Sequence, residues 1–140
     1  MSTSLQGKGS CLCGAVKVEA LSMNPNVGAC HCNMCRKWTG GPLLAVDCNQ
    51  QVTIFGEEHV SIYSSSAWAQ RGFCSQCGTH LFYKLLQNGQ YIMPAGLFDL
   101  EESLTLEHQI FIDEKPDYYC FENDTKKMTG AEVFAAYSSE

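Results

Sequence analysis

Seven of the nine cysteines in this 140-residue chain fall into three clusters whose spacing suits metal binding. Cys11-Leu12-Cys13-Gly14 and Cys74-Ser75-Gln76-Cys77-Gly78 are knuckle-like pairs, each followed by glycine. A knuckle wraps the backbone round a metal so that two sulfurs converge, and the glycine supplies the positive-φ or close-approach position. Two knuckles offer four thiolates, the donor set of a closed, tetrahedral, structural Zn²⁺. Because the pairs stand far apart in sequence, such an ion would staple the first strand region to the middle of the chain.

The third cluster differs in kind. Cys30-His31-Cys32-Asn33-Met34-Cys35-Arg36 places three cysteines within six positions. Three thiolates leave tetrahedral zinc one ligand short, and an open position of that sort marks a catalytic site, able to take water, a thiolate or a carbonyl oxygen. The competing reading is a second structural site completed by Cys48, Cys120 or a histidine. A third is a redox or metal-storage cluster of reactive thiolates. His31 can in principle close the site, but a histidine directly between two ligating cysteines points away as a rule, which makes it a supporting or packing residue. Cys48 and Cys120 stand alone and read as buried small hydrophobes. His59, His80 and His108 sit singly in strand-like stretches and read as packed or surface side chains.

Composition narrows the function classes. Hydrophobic residues make up 45% and charged residues 17%, the balance of a globular chain. The formal charge is -6 with a pI near 5.1, which argues against broad binding to nucleic acid or an anionic membrane. No apolar run approaches the roughly 18 residues of a membrane span, and the N-terminal residues lack a secretory h-region. The expected location is the cytoplasm. Thiols stay reduced there, so nine cysteines, an odd number, point to metal ligation before disulfides.

The elements that must position these ligands read as short strands separated by turns, with little helix. Ala15–Glu19 alternates apolar and polar at period two, as a half-buried strand does. Further strands are expected at Leu43–Val46, Val52–Phe55, Val60–Tyr63, Thr79–Leu85, Tyr91–Leu97 and Glu107–Ile112. Asn88-Gly89 predicts a tight hairpin, since both residues tolerate positive φ. Thr129 and Glu132 form a capping box ahead of Val133-Phe134-Ala135-Ala136-Tyr137, which predicts a C-terminal helix. A short helical turn is expected after Cys35. With no linker or repeat, residues 1–140 read as one mainly β domain.

The order Gly9-Ser10-Cys11-Leu12-Cys13-Gly14-Ala15-Val16, Cys30-His31-Cys32-Asn33-Met34-Cys35-Arg36, Phe73-Cys74-Ser75-Gln76-Cys77-Gly78 resembles the glutathione-dependent formaldehyde-activating enzyme family. Centromere-protein-V-like proteins belong to the same family. The resemblance runs from about Gly9 to Asp117 and takes in Gln109-Ile110-Phe111-Ile112 and Lys115-Pro116. It implies a β-tent fold of several coiled antiparallel sheets. It also implies a structural zinc on Cys11, Cys13, Cys74 and Cys77, and a catalytic zinc on Cys30, Cys32 and Cys35. The implied activity is carbon–sulfur lyase chemistry, the reversible joining of glutathione and formaldehyde to S-(hydroxymethyl)glutathione.

Glutathione is anionic at neutral pH, so an acidic chain needs local cations to hold it. Arg36 and Lys37 directly follow the third ligand, Trp38 can wall the site, and Arg71 precedes the second knuckle. The plainer reading makes Arg36 and Lys37 surface charges and Trp38 a core residue. A non-catalytic zinc module contacting another macromolecule is the alternative function. Its signature would be a basic tail or stripe, whereas Lys126-Lys127 lies among Glu122, Asp124 and Glu132.

Overall fold

The computed structural model describes residues 4–100 and 104–138. In chain order the strands are β1 (Leu5–Ser10), β2 (Lys17–Met23), β3 (Asn26–Cys30), β4 (Leu43–Asp47), β5 (Val52–Phe55), β6 (Val60–Ser64), β7 (Ala69–Cys74), β8 (His80–Leu85), β9 (Tyr91–Pro94), β10 (Thr105–Ile110) and β11 (Lys126–Lys127). The helices are α1 (Asn33–Thr39) and α2 (Gly130–Ser138). The protein is mainly β, built from more than one sheet and carrying a short C-terminal helix. Neither helix is long and apolar enough to cross a membrane. The chain divides into two compact units, Met1–Pro25 with Ala45–Ser103, and Asn26–Leu44 with Leu104–Glu140.

The first unit holds an antiparallel β1-β2-β5 sheet and the antiparallel run β4-β9-β8-β7-β6. β2 turns Val18 and Ala20 inward while Lys17 and Leu21 stay exposed, as a pleated strand with one covered face requires, and a register shift beyond Ala20 brings Met23 inward as well. Val46, Leu81, Phe82 and Met93 are also buried here. The partner strand β1 passes so close to Leu97 that a methyl group on Gly9 would collide with the Leu97 carbonyl. Gly72 is covered in the same way by the ring of Phe82. Those glycines hide β1 and β7 from a reading based on apolar alternation, because they contribute no side chain to the pattern.

Two expected strand boundaries and one expected turn differ for local reasons. β8 begins at His80 because Thr79 is taken up in the preceding turn, where its carbonyl accepts from the Cys74 N–H. β9 stops at Pro94, which has no N–H for a ladder, and a 3-10 turn follows over Ala95–Leu97. The Asn88-Gly89 connection is not a two-residue turn with both residues at positive φ. Only Gly89 is left-handed, at φ 73°, while Asn88 Oδ1 accepts from the Gln90 N–H at 2.9 Å and closes a wider loop.

The second unit contains β3, β10 and β11, α1 and α2. Alongside the antiparallel pairings of the first unit, β10 here runs parallel to both β3 and β11. β3 and β10 are far apart in sequence, so the long crossover that parallel pairing needs is present. Gly28 of β3 lies under His108 of β10, and a Cβ there would meet the imidazole.

The expected capping box forms at α2. The Thr129 N–H donates to Glu132 Oε1 at 2.8 Å, and the Glu132 N–H donates to Thr129 Oγ1 at 3.2 Å. The helix then packs Phe134 edge-on against Phe111, with ring centroids 5.7 Å apart. Thr129→Ala leaves an orphan N–H at the first turn and should cost about 1 kcal/mol. Urea unfolding should show a lower midpoint with an unchanged slope; an unchanged midpoint would assign the capping bonds no net energy.

Candidate functional site

Cys11 and Cys13 lie in the turn between β1 and β2; Cys74 ends β7, and Cys77 lies in the turn that leads to β8. Their four Sγ atoms all lie within 4.8 Å of one another. Cys11 and Cys13 Sγ are 3.6 Å apart, and Cys13 and Cys74 Sγ 3.8 Å. A tetrahedron with metal–sulfur bonds of about 2.3 Å has sulfur–sulfur edges of about 3.8 Å, so the cluster fits a single tetrahedral ion. The two turns are built alike. In each, the N–H of the following glycine donates to the carbonyl of the first ligand, Gly14 to Cys11 at 3.1 Å and Gly78 to Cys74 at 2.8 Å. Both glycines are left-handed, at φ 82° and 80°.

Backbone N–H groups aim at the sulfurs. Val16 donates to Cys11 Sγ at 3.3 Å and Gln76 to Cys74 Sγ at 3.4 Å. Donors of this kind stabilise thiolate and orient it toward a metal. Thr79 joins the turns: its hydroxyl accepts from the Leu12 N–H at 3.0 Å and lies 3.1 Å from Cys77 Sγ. The Thr79 hydroxyl, followed by the Thr79 backbone N–H, holds the Cys77 thiol down at about 5. Nothing in the sequence singles out Thr79 beyond its place after Gly78.

The second cluster lies where β3 runs into α1. β3 ends at Cys30, Cys32 is the N-cap of α1, and Cys35 is the buried residue of the helix. Cys32 Sγ accepts from the Cys35 N–H at 3.4 Å, the ordinary place of a capping oxygen. The helix stops at Gly40, left-handed at φ 85°. The three Sγ atoms lie within 4.8 Å of one another, and among the described residues no fourth cysteine, histidine or carboxylate joins them. The Cys30 thiol is pushed far up, first by the neighbouring Cys32 and Cys35 groups and then by burial. Three sulfurs this close cannot all be charged without a cation among them, so the donor set fits a metal ion here as well.

His31 is fully buried and points elsewhere. Its Nδ1 lies 2.8 Å from the Tyr119 hydroxyl and its Nε2 2.8 Å from Gln109 Oε1, so neither nitrogen is left for a metal. Arg36 is half-buried, with Nε donating to the His31 carbonyl at 2.9 Å; Lys37 is exposed and Trp38 half-buried. Among the described residues neither Arg36 nor Lys37 forms an ion pair. Arg71 is only 3% exposed, with its guanidinium 4.8 Å from the centroid of the Tyr83 ring. Cys48 is buried as expected, its thiol raised to about 12 by burial and then by Asp47. Cys120 contradicts the expectation of a buried hydrophobe: it is exposed, in a stretch without regular strand or helix. Neither belongs to a metal cluster, and nor do His59, His80 or His108.

Residues 6–114 match the family described as glutathione-dependent formaldehyde-activating enzyme. A Schizosaccharomyces pombe protein described as an uncharacterized lyase is 40% identical over 128 residues, 90% of this chain and 93% of that protein. A Halomonas elongata protein, provisionally named a glutathione-dependent formaldehyde-activating enzyme, is 28% identical over 95% of this chain and 89% of its own length. A crystal structure of a Rhodobacter sphaeroides protein is similar at a TM-score of 0.55 and 26% identity, covering 67% of this chain and 87% of that one. With three cysteine motifs gathered into two clusters and the match spanning most of its length, the chain belongs to the glutathione-dependent formaldehyde-activating enzyme family.

Proposed function

We propose that the chain is a zinc-dependent carbon–sulfur lyase that reversibly joins glutathione, or a related small thiol, to formaldehyde or a related aldehyde. The observation that carries this reading is the three-sulfur cluster with no fourth donor among the described residues. Cys30, Cys32 and Cys35 would hold a catalytic zinc, and Cys11, Cys13, Cys74 and Cys77 a structural one. None of the nine cysteines forms a disulfide, which suits a reducing compartment such as the cytoplasm. A zinc bound by three thiolates supplies Lewis acidity at its open position, enough to favour thiolate over thiol at neutral pH or to polarise a carbonyl.

The covalent change is simple. The thiolate sulfur forms a bond to the aldehyde carbon, the carbonyl π pair moves to oxygen, and that oxygen takes one proton. In reverse the carbon–sulfur bond breaks and the proton is returned. The protein's own contribution is to bind and align. Arg36 and Lys37 offer charge to the substrate carboxylates, a guanidinium in bidentate fashion, and Trp38 offers an apolar wall. Cys30 is the part-exposed member of the cluster, while Cys32 and Cys35 are buried. The relatives named for glutathione, formaldehyde or lyase activity support the same reading.

Two outcomes test it. Wild-type protein should carry two zincs and form S-(hydroxymethyl)glutathione faster than the uncatalysed reaction, while Cys32→Ser stays folded, keeps one zinc and loses the rate. A two-zinc wild type with no rate above background sinks the reaction. Cys77→Ser should be insoluble or unfolded, because zinc binding of roughly 10–16 kcal/mol rivals the whole stability of a small domain, about 5–15 kcal/mol. A soluble Cys77→Ser with native circular dichroism and one zinc fewer would deny the four-sulfur centre its structural role.

A further inference from the structure

The two clusters are anchored differently. The four-sulfur cluster draws its donors from two turns 61 residues apart, so a bound metal ties them together. All three donors of the second cluster come from Cys30–Cys35, and a metal there can tie that stretch only to itself. Whatever fixes the stretch must come from other contacts.

Those contacts pass through the residues between and beside the ligands. His31 reaches Gln109 and Tyr119, 78 and 88 positions away, at 2.8 Å each. The Asn33 N–H donates to Glu114 Oε1 at 2.9 Å, across 81 positions. His31 and Gln109 are 0% and 2% exposed, so the bond between them is shielded from competing water. Tyr119 also packs on the His31 ring with centroids 5.5 Å apart, and Lys115 Nζ lies 5.3 Å from the Tyr119 ring centroid.

The direction of the bonds follows from the amide. Gln109 Nε2, which has only protons to offer, donates to Thr125 Oγ1 at 2.8 Å. Its other terminus, Oε1, has only lone pairs to offer His31. The imidazole therefore carries its proton on Nε2, and Nδ1 accepts from the Tyr119 hydroxyl. Thr125, Gln109, His31 and Tyr119 form one continuous chain of four side chains with a single consistent polarity.

We propose that Tyr119 and Gln109 are positioning residues for the three-cysteine centre, acting through an Nε2-protonated His31 to hold Cys30 and Cys32 at ligand spacing without a fourth protein donor. The proposal rests on the reading of Cys30, Cys32 and Cys35 as metal ligands, and not on the identity of the thiol or aldehyde. Supporting hydrogen bonds of this kind change metal affinity by about 10–100-fold when removed.

The test uses the full chain loaded with zinc, and with cobalt as a spectroscopic probe. Long-range ¹H–¹⁵N NMR on the wild type should place the His31 proton on Nε2. Tyr119→Phe keeps the ring packing and removes one hydrogen bond. Chelator competition should show a 10–100-fold weaker second zinc in that variant, with the first zinc unchanged, and the cobalt spectrum of the second site should shift. A proton found on Nδ1 overturns the proposal, and so does a Tyr119→Phe variant that binds the second zinc as tightly as wild type. Turnover is not among the readouts, so a failure of the proposed reaction would leave the result standing.

Discussion

Sulfurs that must sit about one metal–ligand tetrahedron apart repel one another once ionised, and the chain must hold them together anyway. The turn between β1 and β2 meets this demand with a backbone that is almost entirely committed. Cys11 donates its N–H to Val16 and accepts from Gly14, and its sulfur accepts a second N–H. The price is a tip with nothing to pack on: Leu12 is 90% exposed. Immediately beyond the turn, Val16 and Val18 are buried, so the same few residues that shape the cluster also start the covered face of β2.

The three-cysteine centre satisfies the same demand by other means. It borrows the N-terminus of α1, where Cys32 takes the place of a capping oxygen and Cys35 supplies the N–H that stabilises it. A helix of seven residues is too short to be stable alone, so it needs its anchors. Those are the Glu114 carboxylate at its first N–H, the His31 clamp before it, and the Arg36 side chain folded back onto the His31 carbonyl. One cluster draws four sulfurs from two distant turns, and the other draws three from a single stretch that is held from outside.

The grouping of the cysteines into two clusters was readable because metal binding would fix both residue type and spacing. The capping box at Thr129 and Glu132 was readable for the same reason, since each partner lies three residues from the other and needs no distant contact. What the sequence hides is long-range. Thr79, Glu114 and Tyr119 carry no motif of their own, Gln109 is marked only by the family resemblance, and the roles of all four arise where folding brings them to residues 67 to 88 positions away. Parallel pairing of β10 was hidden too, because alternation reports which face is covered and says nothing of direction. Asn88-Gly89 was misjudged because an asparagine side chain can close a loop by itself, without the positive φ that a tight hairpin demands.

The central claim is that one chain holds two metal centres of different completeness, a closed one of four sulfurs and an open one of three. Zinc X-ray absorption on the zinc-loaded wild type and on Cys32→Ser measures this directly. The account predicts two zincs per wild-type chain, with an average shell of sulfur plus a minor oxygen or nitrogen component. The remaining zinc of the mutant should then show sulfur alone. A pure four-sulfur shell at both wild-type sites, or a single zinc per wild-type chain, would contradict it.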